Sequence, residues 1–146
     1  MPALHSIAMR IVSLLPSATE IVCALGAADE PVGISHECDH PPEVSKLPVL
    51  TCSRLPEDGR SGQVDRSVRD LLQAALAIYD LNVDLLAKLD PEVVVTQDLC
   101  EVCAVSYSAV CAAMNRLAGR EVAVASVHPQ RLDDIWGDVQ RVAVRV

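Results

Sequence analysis

The fold of this chain is decided by one stretch, VVVTQDLCEVC at residues 93–103. Its three valines form a continuous β-branched apolar run, which predicts a strand buried on both faces. Polar and thiol side chains follow directly after that run. In an open α/β sheet, ligands bind in the loops that leave the carboxyl ends of parallel strands. The stretch therefore predicts the location of a site before it indicates the chemistry of that site.

The same alternation of apolar runs and amphipathic segments extends through the rest of the sequence. We predict strands at residues 11–15, 31–34, 49–51, 78–81, 92–96 and 121–126. We predict helices at 17–25, 67–77, 83–89, 107–118 and 131–142, and a long polar connection at 35–64. Strands that alternate with helices favour a parallel sheet. The predicted fold is a three-layer α/β/α lobe with a mainly parallel sheet of four or five strands.

Composition limits the classes of function. The 146 residues suffice for one domain, and with no Phe, one Trp and two Tyr the core must be aliphatic. A net charge of −8 repels phosphate, which disfavours nucleic-acid binding. No segment approaches the roughly 18 apolar residues that span a bilayer, and the first apolar run is too interrupted for a signal peptide. We therefore expect a cytoplasmic chain whose six cysteines are mostly reduced.

The two ends of the sequence differ from its middle. We expect residues 1–8 to be a start-site extension and residues 9–130 to form the lobe. The helix predicted from residue 131 continues to residue 146 without a capping residue or a stop signal. This pattern predicts a helix that is cut short, and its exposed apolar surface predicts self-association.

The first candidate site is the loop Pro16-Ser17-Ala18-Thr19-Glu20, which follows the first predicted strand. Ser17 and Glu20 have the spacing of a capping box, in which Ser17 is the N-cap and Glu20 reaches back to it. Amides at a helix N-terminus, with two hydroxyls beside them, also suit an anionic or polar ligand group. Both interpretations stay open on the sequence alone.

The second candidate site is Ser35-His36-Glu37-Cys38-Asp39-His40, directly after the second predicted strand. Imidazole, thiolate and carboxylate are the ligands that borderline and soft metals prefer. The same residues are also ordinary in a solvent-exposed loop. We name His36 and Cys38 as candidate metal ligands, and Ser35, His36, Glu37 and Asp39 as candidate ligand contacts.

The third candidate site contains Gln97, Asp98 and the pair Cys100 and Cys103. Two cysteines at this spacing supply half of a tetrahedral thiolate site for zinc or iron–sulfur, so they need partners. The candidate partners lie in the long connection and are His36, Cys38, His40 and Cys52. A redox pair and buried structural thiols are the alternatives. Cys23 and Cys111 have apolar helical spacing and are expected in the core.

Two segments resemble the iron-siderophore and cobalamin substrate-binding proteins of ABC importers. RIVSLLPSATE at residues 10–20 is similar to the opening of that family, and LDPEVVVT at 89–96 is similar to one of its strands. GISHECD at 33–39 and TQDLCEVC at 96–103 resemble a narrower, cobalamin-binding branch. The resemblance covers roughly residues 9–142.

The resemblance implies the N-terminal α/β lobe of a two-lobed protein, with residues 131–146 as the start of the inter-lobe helix. It implies a corrinoid such as cobalamin, or a related metal chelate, as a small-molecule ligand, an ABC importer permease as partner, and no catalysis. Hydrogen bonds would come from Ser17, Thr19, Gln97 and Asp98. His36, Cys38, Cys100 and Cys103 would be the soft ligands. The alternative is a cytoplasmic metal or iron–sulfur protein that uses Cys38, Cys100 and Cys103.

Overall fold

The computed structural model describes residues 9–55, 59–73, 78–99, 104–116 and 122–146. The strands in this part are β1 Ile11–Ser13, β2 Pro31–Ile34, β3 Thr51–Ser53, β4 Tyr79–Leu81, β5 Val93–Gln97 and β6 Ala123–Val127. The helices are α1 Pro16–Ala24, α2 Ser61–Gln73, α3 Val83–Leu89, α4 Tyr107–Arg116 and α5 Asp134–Ala143, with a 3-10 turn at Pro42–Lys46. No described helix combines the length and the apolar character that a membrane crossing requires.

The main sheet contains four parallel strands in the order β2-β1-β5-β6. The valine run of β5 lies between β1 and β6, and Val93, Val94 and Val95 are all buried. Strands β3 and β4 form a separate antiparallel pair. An isolated parallel bridge between Ile34 and Val49 connects the segment before β3 to β2. The predicted α/β class and mainly parallel sheet are confirmed.

Helices cover both faces of the sheet, because successive strand residues point to opposite sides. On one face, β1, β5 and β6 pack against α1 and α5 through Ile11, Val95, Ala18, Val22 and Val142. On the other face, the sheet packs against α3 and α4 through Val12, Val94, Leu86 and Val110. The predicted three-layer arrangement is therefore confirmed. Burying each of the valine, leucine and isoleucine side chains among them contributes about 1.5–3 kcal/mol.

Helix α1 begins two residues earlier than the capping-box prediction. Pro16 is its first residue and Leu15 its N-cap, which makes no side-chain capping hydrogen bond. The fixed backbone angle of proline suits the first helical position, where no N–H donor is needed. Ser17 thus lies inside the helix, and the prediction that Ser17 and Glu20 form a capping box is wrong.

The C-terminal end of α1 agrees with the predicted end at residue 25, because α1 ends at Ala24 and Leu25 is its C-cap. Gly26 follows the C-cap residue Leu25 and has a φ of 90°, which a residue without a β-carbon adopts at little cost. Its N–H donates to the carbonyl of Cys23 at 3.1 Å, and the N–H of Ala27 donates to Val22 at 3.3 Å. This pair of bonds satisfies the last carbonyls of the helix and turns the chain toward β2.

The connection predicted at 35–64 contains more regular structure than the sequence indicated. It includes the 3-10 turn, strand β3 and the first residues of α2. Arg54, just after β3, donates two hydrogen bonds to the Asp80 carboxylate on β4. The Arg54 guanidinium lowers the pKa of that carboxyl below its ordinary value. The antiparallel β3–β4 pair is therefore linked by a side-chain ion pair as well as by its backbone.

Helix α5 buries one of its predicted core residues and exposes another. Val142 is fully buried against the sheet, as expected for a helix that packs on the lobe. The apolar spacing of this helix predicts that Ile135 and Val139 pack there too, but Ile135 is 39% exposed and Val139 is half-buried, because α5 turns that face outward. Leu132, Trp136 and Val144 are also exposed. Self-association through this apolar surface stays a prediction.

Two buried threonines provide a stability test. Thr96 is fully buried and its hydroxyl has no hydrogen-bond partner in the described part of the chain, whereas the Thr19 hydroxyl lies 2.8 Å from Ser13 Oγ. We expect Thr96→Val to raise the free energy of unfolding by about 1 kcal/mol, because it removes an unsatisfied polar group and keeps the shape. Thr19→Val should lower it by about 1–2 kcal/mol. Urea denaturation of both variants measures these two changes in stability. A Thr96→Val variant less stable than the wild type would contradict the prediction.

Candidate functional site

The candidate site lies along one edge of the main sheet. All four strands are parallel, so their carboxyl ends meet at the same edge. The residues that leave this edge are Ser35 and His36 after β2, Pro16 and Ser17 after β1, Asp98 after β5, and His128 after β6. The described parts of the three predicted loops therefore share one edge, with a fourth loop beside them.

His36 is held by neighbours from the antiparallel β3–β4 pair. Its Nδ1 lies 2.7 Å from Thr51 Oγ1, and its backbone N–H donates to the same oxygen at 2.9 Å. The Tyr79 ring packs against the imidazole with centroids 5.3 Å apart. The Tyr79 hydroxyl donates to Glu37 Oε1 at 3.3 Å. His36 and Glu37 are thus both exposed and fixed by residues beyond the main sheet.

Several candidate residues lie in the interior beneath this edge. Ala18 and Thr19 are fully buried, and Ser35 is nearly so. Cys38 packs with Ile34 and Val44 and lies 3.2 Å from the Thr19 hydroxyl. Their side chains therefore support the loops from beneath, and the expected contacts of these four residues with a ligand or metal stay predictions.

The burial of Cys38 also affects its chemistry. Burial is the largest cause that raises the pKa of its thiol, and the nearby hydroxyl of Thr19 opposes this shift only in part. A thiol with a raised pKa supplies less of the thiolate that binds metal. Among the described residues, no group of three His, Cys, Asp or Glu side chains is placed to hold a metal ion. Cys100 and Cys103 lie outside the described residues, so their metal-binding role stays a prediction.

A second histidine lies at the other end of the edge. His128 Nδ1 is hydrogen-bonded to the Asp98 carboxylate, which joins the loops after β5 and β6. Its Nε2 lies 3.2 Å from the amide nitrogen of Gln130. The His128 backbone N–H donates at 3.2 Å to Asp138 Oδ1, a carboxylate that is buried in α5 and paired with Arg141. Asp98, a predicted contact, therefore works together with a residue that the sequence analysis missed.

An open cleft adjoins this second histidine. It has a volume of about 480 Å³ and is lined by His128, Gln130, Asp133, Asp134, Gly137 and Arg141. Glu20 and His40 line a different cavity of about 590 Å³, between α1 and the segment before the 3-10 turn. The remaining predicted residues, Gln97 and Asp39, are half-buried and exposed respectively. The candidates therefore divide between the sheet edge, the interior and the outer side of α1.

Comparison with known proteins gives a fold. No family model and no curated protein sequence matches this chain. The periplasmic vitamin B12 binding protein BtuF of Vibrio cholerae matches over 94% of this chain at a TM-score of 0.63 and 20% identity. The periplasmic heme-binding protein RhuT from Roseiflexus sp. RS-1 matches over 94% of this chain, at a TM-score of 0.61 and 24% identity. A possible iron-binding, periplasmic solute-binding protein from Staphylococcus epidermidis matches over 93% of this chain, at a TM-score of 0.60 and 22% identity.

This chain has the fold of the periplasmic solute-binding proteins. It covers only 41%, 40% and 45% of those three proteins, so it spans less than half of the length of each. The predicted resemblance to this class is therefore confirmed at the level of fold. At these identities the match concerns architecture, and the ligand has to be argued from the residues of this chain.

Sequence reasoning missed Thr51, Tyr79 and His128. Thr51 reaches His36 because the segment before β3 hydrogen-bonds to Ile34 of β2, and Tyr79 reaches it because β4 pairs with β3. No local pattern encodes either pairing. His128 was detectable, since it follows an apolar strand as Asp98 does. Extending the strand-end rule to every strand of the sheet would have found it.

Proposed function

We propose that this chain binds a small metal chelate, a corrinoid or a related macrocycle, at the carboxyl edge of its sheet, without catalysis. The observation that carries the proposal is that four parallel strands deliver exposed polar side chains to one edge, among them Ser17, His36, Asp98 and His128. Open α/β sheets bind ligands at this edge. Three proteins of the same fold are named for vitamin B12, heme and iron.

The dimensions of the edge agree with a macrocycle. His36 follows β2 and His128 follows β6, so three strand spacings separate the two loops. At about 4.8 Å for each spacing this is about 14 Å. The two histidines therefore lie at the ends of a row of polar side chains, with the Asp98 carboxylate between them. This row is long enough to contact the rim of a planar chelate.

The cysteine-based alternative has weaker support among the described residues. Cys38 contacts the buried Thr19 hydroxyl, while His36 contacts Thr51 and Tyr79 on the other side of the loop. These two predicted ligands therefore do not converge. A zinc or iron–sulfur site would depend on Cys100 and Cys103. An importer permease as partner and a cytoplasmic location likewise stay predictions.

The proposal is tested with hydroxocobalamin and haemin as probes. Their binding to the purified chain is measured by calorimetry and by co-elution in gel filtration. We expect at least one probe to bind. Asp98→Ala should weaken that binding about tenfold, because it removes one charge-assisted hydrogen bond. Asp29→Ala is the matched control, because Asp29 is exposed and precedes β2 at the opposite edge. No binding of either probe, or equal effects of both variants, would overturn the proposal.

A further inference from the structure

Among the described residues, the Thr51 hydroxyl has three hydrogen-bonding neighbours, and its single proton decides the role of each. The backbone N–H of His36 donates to Thr51 Oγ1 at 2.9 Å. Thr51 Oγ1 itself donates to Ser35 Oγ at 3.1 Å. The third neighbour is His36 Nδ1 at 2.7 Å. A hydroxyl has one proton and two acceptor positions, so the remaining acceptor position must receive a proton from Nδ1.

This count fixes the tautomer of His36. A neutral imidazole with its proton on Nδ1 carries its lone pair on Nε2, and the hydrogen bond of one ring nitrogen sets the role of the other. Among the described residues, no hydrogen bond to Nε2 is found, and the side chain is exposed at the sheet edge. The Tyr79 ring, 5.3 Å away, limits rotation of the imidazole. Thr51 and Tyr79 therefore orient a basic nitrogen toward the outside.

We infer that His36 Nε2 is an axial metal ligand oriented by Thr51, so that the site selects chelates with an open or exchangeable coordination position. The inference rests on the proposed function and narrows its ligand class. Neutral imidazole binds iron and cobalt well. A haem iron, or the cobalt of a corrinoid whose axial water exchanges, can accept this nitrogen. A ferric siderophore that fills all six positions cannot, and neither can a cobalt that holds cyanide on one face and its own nucleotide base on the other.

Thr51 is a positioning residue in this scheme, because it touches His36 and not the metal. Removing a hydrogen-bond partner behind a metal-binding histidine lowers metal affinity about 10- to 100-fold. Thr51→Val keeps the shape but removes both acceptor positions. Thr51→Ser keeps the hydroxyl and should restore the function of the wild type. Ser53→Ala, two residues along the same strand, is the matched control for losing a hydroxyl from β3.

The tautomer is measured first, without any ligand. Long-range ¹H–¹⁵N correlation spectra of the folded chain distinguish a proton on Nδ1 from a proton on Nε2. We expect the Nδ1–H form of His36 in the wild type, in Thr51→Ser and in Ser53→Ala, and a mixture in Thr51→Val. Circular dichroism of each variant shows that it is folded. An Nε2–H form in the wild type would overturn the inference, whatever the chain binds.

Ligand selection is measured next, by visible spectroscopy. Hydroxocobalamin and haemin should give shifted spectra on binding, and Thr51→Val should weaken both about 10- to 100-fold. Cyanocobalamin and ferrichrome should bind at least tenfold more weakly and without a change of axial ligand. Equal affinity for hydroxocobalamin and cyanocobalamin would overturn the inference and leave the proposed function standing. Failure of all four probes to bind would overturn both.

Discussion

Gly33→Val is expected to destabilise the chain by about 3 kcal/mol, at the upper end of the usual cost of overpacking a core. A β-carbon on Gly33 would overlap Leu50 Cδ1 and would lie 2.7 Å from Leu89 Cδ1. Leu50 is almost fully buried, so it has little room to move away. Valine is otherwise a favourable strand residue, so steric overlap and strand propensity predict opposite signs. Urea denaturation measures which effect dominates.

Gly62→Ala is the matched control for this substitution. A β-carbon at Gly62 meets nothing within 4 Å, and the residue lies in the first turn of α2. Alanine there should leave the stability unchanged or raise it by up to about 1 kcal/mol, because glycine is a poor helix former. If Gly33→Val were as harmless as Gly62→Ala, the close packing of β2 against Leu50 and Leu89 would be incorrect.

Arg141→Ala is expected to destabilise the chain by about 3 kcal/mol. Asp138 is 1% exposed, and its Oδ1 pairs with Arg141 and accepts the His128 backbone N–H at 3.2 Å. Removing the guanidinium leaves a buried carboxylate with a single described hydrogen-bond donor, which is the costly way to break a buried pair. We place the effect at the low end of the range because Arg141 itself is half exposed. Thermal and urea unfolding measure the loss.

Two further variants separate charge from packing at Asp138. Asp138→Asn in the Arg141→Ala background removes the unpaired charge, and it should recover a large part of the lost stability. Arg69→Ala breaks an exposed pair with Asp65, four residues earlier on the same helix, and should change stability by less than about 0.5 kcal/mol. A double variant as unstable as Arg141→Ala alone would show that lost packing, and not the buried charge, causes the effect.

Local signals predicted the elements of this fold well. Pro31–Ile34 and Val83–Leu89 have the predicted bounds, because a proline and an asparagine cap mark their starts. The start of α1 was misplaced, since a serine two residues from the true N-cap has the spacing of a capping residue. The sequence contained both signals, and the proline determined the first helical position.

The site was less predictable than the fold. The edge of the sheet followed from strand direction, so the predictions placed His36 and Asp98 at that edge correctly. Which side chains would be buried there did not follow, because Thr19 and Cys38 meet only when α1 packs over the loop after β2. The support of His36 by Thr51 depends on the parallel bridge between β2 and the segment before β3. Contacts between distant segments decide which residues of a loop face outward.

The exposed position of Trp136 gives this protein a fluorescence signal with unusual behaviour. It is the one tryptophan of the sequence and is 70% exposed, on α5 next to Gly137 of the cleft beside His128. Its emission in the folded chain should already resemble that of indole in water, so denaturation should shift the wavelength little. A coloured macrocycle bound along the sheet edge would quench this emission by energy transfer. Fluorescence should therefore report ligand capture sensitively and unfolding poorly.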